Sequence, residues 1–89
     1  MQAFMNDEIA RRVSAAIAQV YPSLGCRRSR QGLRYVHPTE PSTLSVTPDA
    51  DGRFRIFLEH TGPFAVIVSS SAESLSRVLD VVRNWREGR

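Results

Sequence analysis

Arg53-Phe54-Arg55-Ile56-Phe57-Leu58-Glu59, followed beyond His60-Thr61-Gly62-Pro63 by Phe64-Ala65-Val66-Ile67-Val68, is the stretch that decides the fold. Two strand-like runs meet there across a short Gly-Pro turn. In the first, Phe54, Ile56 and Leu58 alternate with Arg53, Arg55, Phe57 and Glu59, the period of two that a strand with one buried face requires. The second run is apolar without a break, as expected of a strand covered on both faces or ending against a partner. A three-residue loop of Thr61, Gly62 and Pro63 sets Leu58 opposite Val66 and Ile56 opposite Val68, all four pointing to one core. It also keeps Pro63, which has no amide hydrogen, out of the ladder. A two-residue loop would turn Ala65 and Ile67 to that face instead, because a one-residue slip exchanges the faces. The three-residue loop is expected, since it buries the β-branched pair beside Phe54.

Working back from this hairpin, Pro48-Asp49-Ala50-Asp51-Gly52 is a turn by composition, with Asp side chains that bond local backbone and a glycine free to take positive φ. Asp49 and Asp51 do not begin a calcium loop, which needs further acidic ligands and a closing Glu where strand residues stand here. The strand before the turn runs from Thr43 to Thr47, with Val46 expected opposite Phe54 and Leu44 opposite Ile56. Pro38-Thr39-Glu40-Pro41 is another turn, and Leu33, Tyr35 and His37 alternate with Arg34 and Val36 in the first strand. That places Tyr35 opposite Leu44 and Leu33 opposite Val46, on the same face. Cys26 to Gly32 is the most basic segment and reads as a loop or the frayed start of a strand.

Two amphipathic helices flank the strands. Asn6 caps the first, Asp7 and Glu8 lie in its first turn where the helix dipole favours negative charge, and Ile9, Val13, Ile17 and Val20 form its stripe. Tyr21-Pro22 ends it, because a residue before proline is pushed out of helical geometry. The last helix is expected from the serines Ser69 to Ser71, with Ser70 and Glu73 as a capping box and Leu75, Val78, Leu79, Val82 and Trp85 as its stripe. On its wet side Glu73 with Arg77, and Arg83 with Glu87, are spaced to pair.

Four antiparallel strands between two such helices have one economical arrangement. It is an α+β two-layer sandwich, a four-stranded meander with both helices on one face, order α-β-β-β-β-α, in a single domain over residues 1–89. The other sheet face then carries Arg34, Val36, Thr43, Ser45, Arg55, Phe57, Glu59, Ala65 and Ile67. Val36, Phe57 and Ile67 are expected to form an apolar centre bordered by Arg34 and Arg55, the composition of an interface core.

Composition narrows the function by exclusion. A 42% hydrophobic share and 24% charged residues describe a folded domain. All twelve basic residues are Arg, which reads as codon bias of a GC-rich genome before it reads as guanidinium chemistry. The single cysteine, Cys26, precludes an internal disulfide and points to a reducing, cytoplasmic setting, as a half-buried thiol with no chemistry. No apolar run approaches the roughly 20 residues of a membrane span, and no signal peptide is visible. No paired carboxylates, nucleophile motif, metal-ligand spacing or phosphate loop appears, and His37 and His60 read as exposed turn histidines. No catalytic residue, cofactor or metal is therefore assigned.

What remains is binding. The first expectation is a non-enzymatic protein-binding module, an inhibitor or regulator of the kind phages and mobile elements encode in bacteria. It would use Arg34, Val36, Arg55, Phe57 and Ile67 on a protein partner or on its own copy in a homodimer. The alternative is a nucleic-acid binder that sets Arg27, Arg28, Arg30 and Arg34 on phosphates and stacks Tyr35 or Phe57 on a base.

Overall fold

The structure, a computed structural model, describes residues 6–49, 52–62 and 65–88. The expectations attached to Ala50, Asp51, Pro63 and Phe64 lie outside them. Helix α1 spans Asp7–Val20, and α2 spans Leu75–Glu87. Between them run β1 Cys26–Arg28, β2 Leu33–Val36, β3 Ser42–Pro48, β4 Phe54–His60 and β5 Val66–Ala72. They form one antiparallel sheet in the order β1-β2-β3-β4-β5. The layout is the α+β one expected, with one strand more: Cys26, Arg27 and Arg28 leave the loop to pair with Tyr35, Arg34 and Leu33.

Alternation along each strand produces the core. Leu33, Tyr35, Leu44, Val46 and Ile56 turn to the helices and are buried, and they meet Ala10, Val13 and Ile17 of α1 and Val78, Val82 and Trp85 of α2. Asn6 caps α1 by accepting the Ile9 amide at 2.8 Å. Val20 does not join this stripe; it is 40% exposed, at the last residue of the helix.

The first hairpin register is as expected, Tyr35 opposite Leu44 and Leu33 opposite Val46. The next two are shifted by two residues: Val46 faces Ile56, Leu44 faces Leu58, and Leu58 faces Val68. A shift of two keeps every side chain on its face, so the layers are those expected. In β3 the strand continues to Pro48, which pairs with Phe54 while the Asp49 amide donates to the Arg53 carbonyl at 2.8 Å. Pro48 is tolerated there because β2 ends opposite Val46, so beyond it β3 has a neighbour on one side only.

The shift in the last hairpin changes the assignment of the serines. Ser69, Ser70 and Ser71 belong to β5, where they pair with Phe57, Ile56 and Arg55. A helix starting at Ser70 would strip those β4 residues of their partners. The cap of α2 is instead Ser74, whose hydroxyl accepts the Arg77 amide at 3.3 Å. Glu73 therefore precedes the helix, and Arg77 approaches Asp80 at 3.9 Å. Among the described residues no helix is long and apolar enough to cross a membrane.

Candidate functional site

Helix α2 crosses the sheet obliquely. It starts next to Ala72 at the end of β5, yet its last turn lies over β3, where Trp85 Nε1 donates to Ser42 Oγ at 2.8 Å. There the indole also meets the His37 ring edge-on at 5.0 Å. His37 is thus a buried residue, 8% exposed, and not a surface turn histidine. Its Nδ1 accepts the backbone amides of Thr39 at 3.2 Å and Glu40 at 3.0 Å, which holds the turn after β2. Beside Trp85 a cleft of about 570 Å³ opens, bordered by His37, Glu40, Leu58 and His60. Among the described residues no three of His, Cys, Asp and Glu gather as metal ligands would.

The oblique course leaves the beginning of β5 uncovered. Ala72 is buried, but Val66 and Val68, on the same face, are 49% and 51% exposed, and Ile67 on the opposite face is 66% exposed. Among the described residues no element lies beyond β5, so the apolar run is an edge strand: of the two expectations for it, cover on both faces is not met, and an end against a partner is the one left. Val66 and Val68 share a face with Ile56 and Leu58, as expected, but do not reach the core.

On the face away from the helices three rows cross the strands. Arg27, Arg34, Ser45, Phe57 and Ser69 form one; Val36, Thr43, Glu59 and Ile67 a second; Thr47, Arg55 and Ser71 a third. The expected set of Arg34, Val36, Arg55, Phe57 and Ile67 does share this face. Its apolar centre is broken, however. Val36 stands three strands from Ile67, about 14 Å at the usual strand spacing. An ion pair of 3.8 Å between Arg34 and Glu59 passes between Val36 and Phe57. Phe57, half buried, and Ile67 remain as diagonal neighbours at the β5 edge. Arg55 is held beside them by Asp49 at 3.4 Å and by the Ser69 hydroxyl at 3.3 Å.

The basic segment is likewise divided. Arg28 points to the helix side and pairs with Asp7 at 2.5 Å. That hydrogen bond, with the guanidinium charge behind it, holds the Asp7 carboxyl below its ordinary value of 3.8. Arg34 leans to Glu59, while Arg27 and Arg30 make no ion pair among the described residues. Tyr35 is 2% exposed, so its ring is in the core and not available to stack on a base. Among the described residues its buried hydroxyl has no partner within full hydrogen-bonding geometry, the Cys26 thiol across the strand being its polar neighbour. Burial first, and then its cross-strand neighbour Cys26, push the phenol well above its ordinary 10.0. Cys26 itself is exposed, not half buried, since β1 forms the outer edge of the sheet.

The unbroken apolar run signalled either a covered strand or one ending against a partner, and nothing in the sequence chose between them. An apolar pentapeptide reads as core until the shift in register carries the serines into the strand. No family model, curated protein or solved structure matches this chain.

Proposed function

We propose that this chain is a non-enzymatic protein-binding module whose docking surface is the β5 side of the sheet. The observation that carries the proposal is the run Val66-Ile67-Val68. Of the five large hydrophobic residues exposed among the described residues, three are consecutive on one edge strand. Scattered exposed apolar residues are ordinary, whereas a contiguous group marks a contact surface. Phe57 extends this group onto the open face, and Arg55 and Arg34 border it with groups suited to a partner's carboxylates. An inhibitor or regulator of bacterial or phage origin is the kind of module such a docking surface would serve. The lone cysteine fits a reducing cytoplasm.

The test is capture from a lysate of the native host with tagged wild-type protein and a Phe57→Glu, Ile67→Glu variant side by side. A stoichiometric protein that survives high-salt washing on the wild type, and is lost from a variant with unchanged circular dichroism, supports the reading. Equal capture by both rejects this surface.

A second reading rests on Arg27 standing directly opposite Arg34, a like-charge pair that an anion would relieve. Nucleic acid held by Arg27 and Arg30 alone would show a shallow salt dependence, a log–log slope of about −1.4 to −1.8. A steeper slope would require Arg28 and Arg34 to leave their carboxylates.

A further inference from the structure

The two edges of the sheet are built differently. Strand β1 is three residues long and carries Arg27 and Arg28, so its edge is short and charged. Strand β5 is seven residues long and contains no charge and no proline. Natural sheets blunt their edges with short strands, charges, prolines or a covering element, and among the described residues β5 has none of these. A row of outward N–H and C=O groups, spaced at every second residue, is matched by one kind of occupant, another extended backbone.

We infer that β5 pairs antiparallel with β5 of a second copy, about a two-fold axis at Ile67, so that two five-stranded sheets become one. This rests on the protein-binding reading and names the partner. Two-fold symmetry across an antiparallel edge requires some residue to face itself, and both copies then keep their helices on the same side. With Ile67 at the axis, Ile67 faces Ile67 on the open side, next to Phe57 of each copy. Val66 faces Val68 twice on the helix side. All three exposed apolar residues of the strand then meet apolar residues. A centre at Ser69 would use the full strand but place Val68 against Ser70 and Ile67 against Ser71. The formal charge of +3 on each copy opposes association in general, yet from residue 65 to 72 the edge brings no charge to the join.

Sedimentation velocity over a range of concentrations tests the dimer. The wild type is expected to move from 10.0 kDa toward twice that mass, and Ile67→Arg, which sets two guanidinium groups against each other at the axis, to remain at one chain with unchanged circular dichroism. A wild type that stays at one chain throughout, or an Ile67→Arg protein that still dimerises, overturns the inference. In a Cys26→Ser background, Ile67→Cys is expected to form an intermolecular disulfide under mild oxidation faster than Ser69→Cys; the reverse order overturns the axis. A monomeric wild type that still captures a host protein through Phe57 and Ile67 would overturn the second copy as occupant while leaving the protein-binding reading in place.

Discussion

Replacing Ser42 by alanine isolates the contact that fixes the end of α2 on the sheet. Ser42 is 3% exposed and Trp85 9% exposed, and the 2.8 Å bond from the indole N–H to the serine hydroxyl is the indole's polar anchor. Without that oxygen the donor is buried and unpaired, a loss of about 1–3 kcal/mol. The cleft beside Trp85 lets water approach the ring, which places the expected cost in the lower part of that range, about 1–2 kcal/mol. A chain of 89 residues has a total stability of about 4–13 kcal/mol, so the change is a large fraction of it. Urea unfolding followed by tryptophan fluorescence reads the effect directly, because the chain has one tryptophan. With a slope of about 1 kcal/mol per molar urea the midpoint should fall by about 1–2 M. Trp85→Phe removes the donor as well, so Ser42→Ala on that background, followed by circular dichroism, should cost much less than on the wild type. Equal costs on both backgrounds, or a wild-type change under about 0.5 kcal/mol, would refute the role given to the bond.

Other consequences follow from single contacts. Gly32 lies against the Val46 carbonyl oxygen, and a Cβ there would also stand 2.8 Å from Thr47 Cγ2. Gly32→Ala is therefore expected to destabilise by about 1–3 kcal/mol in urea unfolding, and a neutral result would contradict the close approach. Tyr35 has a raised pKa in the fold, so its contribution to stability is present below its ordinary 10.0 and is lost as pH rises above it. In a Tyr21→Phe protein, tyrosinate absorbance should appear together with unfolding; ionisation of Tyr35 in a chain with native circular dichroism would disprove its burial. Asp7 has a lowered pKa, so its contribution is present above 3.8 and disappears as pH falls through the folded value. By carboxyl NMR, Arg28→Gln should return Asp7 toward 3.8, and an unchanged titration would remove Arg28 as the cause.

Much of the fold was legible because side-chain period and face survive errors that register does not. The alternation of Leu33, Tyr35, Leu44, Val46 and Ile56 placed the core correctly even though two hairpins were assigned two residues out of step. Turn length cannot be read from Asp49 to Arg53 by composition alone, since Pro48 looks like a breaker yet sits in the ladder beyond the end of β2. The serines misled for a related reason: Ser70 and Glu73 have capping spacing, but the backbone of β4 requires a partner as far as Phe54. The site was less legible than the fold. Phe57 and Ile67 do lie together, but the separation of Val36 by an ion pair depends on cross-strand geometry that a linear pattern does not encode. The burial of His37 depends on Trp85 arriving from a helix 48 residues later in the chain.

Amide hydrogen exchange along β5 tests the docking edge most directly. Between Val66 and Ala72, every second amide bonds β4 and the others face outward. In dilute solution the outward amides should exchange rapidly, and in concentrated solution or with the captured partner they should slow, with Ile67→Arg abolishing the change. Outward amides that exchange at one unchanged rate under all three conditions would contradict the assignment of β5 as the surface through which this protein acts.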